Sequence, residues 1–68
     1  MLWLIKENAS HQIMSCNIHN ANNTFELWIT RPNDKNLKIA ESTKQEDVAI
    51  IKEAIDYAIE NSIPALRL

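Results

Sequence analysis

Polar and apolar residues alternate through the first part of the chain, and the alternation stops at three clusters of turn formers. These are Asn8-Ala9-Ser10, Asn20-Ala21-Asn22-Asn23 and Pro32-Asn33-Asp34-Lys35-Asn36. Asn and Asp side chains mimic backbone turn hydrogen bonds and tolerate left-handed backbone, so they punctuate strands. The stretches between them are rich in Ile, Trp, Phe and Thr and read as β-strands near residues 2–7, 11–19, 24–31 and 36–41.

The period then changes. Val48, Ile50, Ile51, Ala54, Ile55, Tyr57, Ala58 and Ile59 recur at helical spacing, with Lys52, Glu53, Asp56 and Glu60 opposite, which predicts a helix near 44–61. Thr43-Lys44-Gln45-Glu46 fits a capping box at its start. The apolar arc covers roughly 200° at ~100° per residue, against the stripe of about 100° or a little more that a surface helix needs. Pro64 ends the helix, and residues 63–68 form an apolar tail, read as a short C-terminal strand or an arm lying on a partner. The fold class expected is α+β: a four-stranded antiparallel meander in a single domain, residues 1–68, with one C-terminal amphipathic helix across one sheet face.

The alternation also implies a register. A hairpin closed around Asn20–Asn23 sets Ile18 opposite Phe25, Cys16 opposite Leu27 and Met14 opposite Ile29. A turn at residues 8–10 sets Leu4 beside Met14 and Leu2 beside Cys16, and Leu37 and Ile39 extend this core face. The other face then carries Trp3, Ile5, Ile13, Ser15, Trp28 and Thr30, with Trp3, Ser15 and Trp28 in one cross-strand row. One helix covers one face, so two Trp and two Ile are left facing outward. An apolar patch of this kind marks an interaction surface, and a two-fold homodimer would cover it with a second copy of itself.

Size supports an association partner. A 68-residue chain buries only ~60% of its unfolded surface. Cys16 stands alone and can form no internal bridge, which suggests a reducing, cytoplasmic setting. The opening Met1–Ile5 run is too short for a signal or membrane segment, so none is expected. Net charge is −2 and uneven. Lys6, Arg31, Lys35 and Lys38 outweigh Glu7, Glu26 and Asp34 in residues 1–40, whereas Glu41, Glu46, Asp47, Glu53, Asp56 and Glu60 outweigh Lys44, Lys52 and Arg67 in residues 41–68. Neither part has the basic excess of a duplex-DNA binder. The chain contains no glycine, which removes glycine-dependent phosphate loops, and no cofactor is expected.

Candidate chemistry is sparse. In the expected register Cys16 faces the core while His11 and His19 face away, about 26 Å apart at ~3.3 Å per residue. That is too far for a zinc site, whose ligands lie within ~2.0–2.3 Å of one ion. No paired carboxylates and no supported Ser–His pair point to an enzyme. Glu46, Glu53, Asp56 and Glu60 make a possible acidic strip on the helix, of the kind that mimics nucleic-acid phosphates. The order of strands followed by a helix is similar in outline to the PC4-like single-strand-binding domains. That resemblance implies a dimer; the outer face by itself offers Trp3 and Trp28 as a stacking platform for single-stranded nucleic acid, with Lys38, Arg31, Lys6 and His11 near the phosphates. The leading expectation is a small non-enzymatic intracellular protein that acts by macromolecular binding, as a homodimer built on the outer sheet face, the helix's spare apolar edge, or both. A phage, prophage or mobile-element regulator or inhibitor fits its size. Single-stranded nucleic-acid binding is the alternative.

Overall fold

The computed structural model describes residues 2–68. The chain runs β1 (Leu2–Lys6), β2 (Ala9–Ile13), β3 (Ser15–Ala21), β4 (Thr24–Thr30), β5 (Leu37–Ser42), α1 (Gln45–Glu60) and β6 (Ala65–Arg67). The α+β class, the single helix packed on a sheet and the short C-terminal strand agree with the sequence. The strand expected over 11–19 is instead two strands separated by Met14. One three-stranded sheet has the order β2-β1-β6 and the other β3-β4-β5. The apolar tail enters the first sheet parallel to β1, with Leu4 opposite Leu66.

Turn chemistry explains both register differences. The chain has no glycine, so other residues take the left-handed backbone its turns need. Asn22 and Asn23 have φ of 49° and 65°, the pair of positive values that a two-residue type I′ hairpin requires. The loop is therefore Asn22-Asn23, Ala21 pairs with Thr24, and Cys16 faces Ile29 rather than Leu27. This slip from the expected register is even, so the core set of β3 and β4 keeps its face.

The first hairpin turns at Glu7-Asn8, with Glu7 at φ 56° and Lys6 paired to Ala9. Leu4 consequently faces His11 and Leu2 faces Ile13. Here the slip is odd and the faces of β2 exchange. Ile13, expected outside, is fully buried, and Met14, expected in the core, is 53% exposed. Ile13 and Cys16 both point inward although three residues apart, so Met14 and Ser15 must bend the chain from one sheet to the other. The Met14 amide donates to the Thr30 carbonyl at 2.8 Å, anchoring the bend to β4.

The inner faces of both sheets and of α1 meet in one core: Leu2, Leu4 and Ile13; Cys16, Leu27, Ile29 and Ile39; Val48, Ile55 and Ala58. A register shift opposite Leu27 and Trp28 leaves Ile39 as an extra residue in β5. Lys6 reaches across from β1 and donates to the Ile39 carbonyl, tying the two sheets together.

The capping box is replaced. Lys44 is the N-cap residue and makes no side-chain cap. Ser42 instead accepts from the Lys44 amide at 3.1 Å and donates to the Asp47 carboxylate at 2.6 Å. At the other end the Ile63 amide bonds the Ala58 carbonyl at 2.9 Å and the Ser62 amide bonds Ile59 at 3.2 Å. This is a Schellman cap whose left-handed position, Ser62 at φ 55°, is not glycine.

Left-handed backbone costs an L-residue ~1–2 kcal/mol, so Ser62→Gly should stabilise the fold by about 0.5–1 kcal/mol after glycine's own entropy cost. An unchanged or lower melting temperature would contradict this account of the cap. Ile55→Ala should cost ~2–5 kcal/mol out of a total of roughly 3–10 kcal/mol for a domain of this length. Urea unfolding measures it, and a loss below about 1 kcal/mol would place Ile55 outside the core.

Candidate functional site

The two indoles do not form a platform. Trp3 lies on β1 between Gln12 of β2 and Ala65 of β6, whereas Trp28 lies on β4 between Asn17 of β3 and Lys38 of β5. Ser15 faces Thr30, so the expected row of Trp3, Ser15 and Trp28 is absent. Ile13 is in the core, Ile5 and Thr30 are half-buried, and Trp3 remains 47% exposed.

The outer face of the β3-β4-β5 sheet is a polar surface satisfied within itself. The Trp28 indole N–H donates to Glu26 at 3.1 Å, and Lys38 bridges Glu26 and Glu41 at 3.4 Å each. His19 meets the Trp28 ring edge-on, with centroids 6.3 Å apart. The Trp28 hydrogen bond, helped by Lys38, holds the Glu26 carboxyl below its ordinary range. Glu41 and Glu26 push the Lys38 ammonium up. Each exposed pair contributes ~0–1 kcal/mol, but together they occupy the polar groups around Trp28.

Large apolar side chains stay exposed at Trp3, Met14 and Leu68, but the two most exposed lie on the helix. Ile50 is 66% and Tyr57 63% exposed, and Ala54 lies exposed between them at i+4. The width of the apolar arc exceeds what the core uses, as the wheel implied. Glu46, Glu53 and Glu60 are exposed and repeat every seven residues beside this stripe. Asp56 differs from the other members of the acidic strip. It is half-buried, accepts from Lys52 at 2.5 Å and from the Cys16 thiol at 3.5 Å. Lys52 is the one basic residue within α1 and is committed to that pair, which pushes its ammonium up.

His11, Cys16 and His19 occupy three separate surroundings: the Arg31 side chain, the core and the Trp28 edge. Among the described residues no cluster of three potential metal ligands forms, and no helix is long and apolar enough to cross a membrane.

Two further hollows were not legible in the sequence. One, of about 310 Å3, is lined by Leu2, Ile13, Met14, Ile59, Ser62 and Ile63, where the bend meets the helix end. The other, of about 260 Å3, lies between β2 and the 31–34 loop, with Trp3, His11 and Arg31 in its wall. The sequence named Trp3, His11 and Arg31 as candidate contacts for a nucleic acid, but not their meeting in one hollow.

Burial, with Asp56 beside it, pushes the Cys16 thiol up to about 11 from 9.0. The folded value is the higher one, so the protonated thiol's contribution to stability is complete below pH 9 and is lost as pH rises toward about 11. Native protein should resist alkylation by iodoacetamide near neutral pH and react fully in denaturant. Rapid native alkylation would show that Cys16 opens to solvent. No family model, curated protein or solved structure matches this chain.

Proposed function

We propose that this chain is a small non-enzymatic binding protein of the cytoplasm, and that its contact surface is the outward face of α1 rather than the outer sheet face. The observation that carries this reading is the stripe of Ile50, Ala54 and Tyr57, with two large apolar residues about two-thirds exposed on one helix line. Aromatic and aliphatic side chains at i, i+4 and i+7 are the anchors by which one helix docks on another.

Charge selects the occupant. Glu46, Asp47, Glu53, Asp56 and Glu60 stand against Lys52 alone in α1. A second copy docked helix to helix would bring two acidic flanks together, which costs binding energy. A helical segment with an apolar stripe and lysine or arginine flanks meets both features. A regulator or inhibitor that masks such a segment would act without chemistry of its own.

The test is a nuclear magnetic resonance titration with a designed amphipathic peptide carrying leucines on one face and lysines beside them. Shift changes should map to Ile50, Ala54 and Tyr57, weaken with salt and vanish in Ile50→Asp, which substitutes an exposed position. Changes elsewhere, or none, would reject the face. Light scattering should give the single-chain mass of 7.8 kDa at micromolar concentration. Twice that mass, lost in Ile50→Asp, would assign the stripe to a second copy and overturn the basic-partner reading.

A further inference from the structure

The hollow beside β2 brings a strand edge together with Trp3 and Arg31. β2 is an edge strand. Its hairpin closes on the Lys6–Ala9 pair, and hydrogen-bonded and non-bonded pairs alternate from there. The backbone N–H and C=O of Ser10 and Gln12 therefore point away from β1. On that side the Met14–Thr30 bond brings the end of β4 and the following loop alongside.

Arg31 is held in place there. Its Nε donates to the Lys35 carbonyl at 2.8 Å, and one terminal nitrogen lies 3.4 Å from His11 Nδ1 and 3.5 Å from Asp34. The Arg31 side chain is only 17% exposed, whereas Asp34 is 64% exposed. A half-buried Arg31 side chain thus has an exposed carboxylate 3.5 Å away as its counter-ion. Trp3, 47% exposed, lines the same hollow.

We propose that this hollow binds a single nucleotide unit, with its base against Trp3 and its phosphate at Arg31 in place of Asp34. The edge groups of Ser10 and Gln12 supply the donors and acceptors that a base edge needs. An indole stacks any base and is tolerant of sequence, and a guanidinium matches phosphate geometry. The volume, about 260 Å3, falls below the ~300–1,000 Å3 of ordinary ligand pockets, which suits one unit rather than a longer segment. The unit is either a free mononucleotide or one residue of a single strand, and the chemistry at the hollow is the same. This site is separate from the α1 face, and neither proposal depends on the other.

The test uses Trp28→Phe protein, in which Trp3 is the sole indole. It is titrated with adenosine monophosphate, uridine monophosphate and a short oligothymidylate at low and physiological salt. Saturable quenching of Trp3 that weakens with salt is expected. Asp34→Asn should tighten binding about two- to fivefold by removing the competing carboxylate. Arg31→Lys should weaken it about tenfold, because the fork is lost while the charge stays. Circular dichroism checks that each variant is folded. Equal affinity for monophosphates and oligonucleotide assigns a free nucleotide, and a strong preference for the oligonucleotide assigns a strand. Absence of quenching at low salt in folded protein overturns the proposal, as does binding indifferent to both Asp34→Asn and Arg31→Lys.

Discussion

The bend at Met14 governs this fold. Residues 9–21 are almost one continuous strand, but its first half pairs with β1 and its second half with β4. If the strand ran straight, Ile13 and Cys16 would point to opposite faces. Both are buried, so the chain has to turn Met14 and Ser15 outward in succession. That turn lets the β1–β2 hairpin bring Leu2 and Leu4 into the same core as Leu27, Ile29 and Ile55. A short chain gains its core in this way, because two small sheets and one helix enclose more apolar surface than a flat sheet with a helix on one side.

The same bend decides where the surface features fall. Folding the first hairpin over removes Ile13 from the outer face and sends Trp3 and Trp28 to different sheets. The outer face around Trp28 then needs no apolar cover, since Glu26, Lys38 and Glu41 bond one another and the indole. The two most exposed large apolar side chains, Ile50 and Tyr57, are left on α1, whose outward line no described residue covers. Trp3 acquires new neighbours, because β2 becomes an edge and the loop after β4 runs beside it.

Absence of glycine gives the turns a distinct character. Glu7, Asn22, Asn23 and Ser62 all adopt positive φ. Asn bears this at little cost because its side chain can bond locally, whereas Glu and Ser bear it because the hairpin and the helix cap require that backbone. The Schellman cap at Ser62 also directs Ile63 back to the core and delivers residues 65–67 parallel to β1. The Trp3–Pro64 and Leu68–Ile5 backbone bonds then hold the C-terminal strand in place.

Local pattern by itself determined much of this protein. Period-two and helical spacing located the strands, the helix and the spare apolar width of α1, since these follow from the side-chain geometry of each element alone. The inward set Cys16, Leu27 and Ile29 was also legible, because an even slip leaves faces unchanged. Only the tertiary structure decided the fate of Ile13 and Met14. Their adjacency breaks the alternation, yet whether that break is noise or a corner depends on which strand each half pairs with. The meeting of Trp3, His11 and Arg31 is likewise non-local. It arises because a loop from the far end of β4 lies along the edge of β2, and no spacing within either segment encodes that approach.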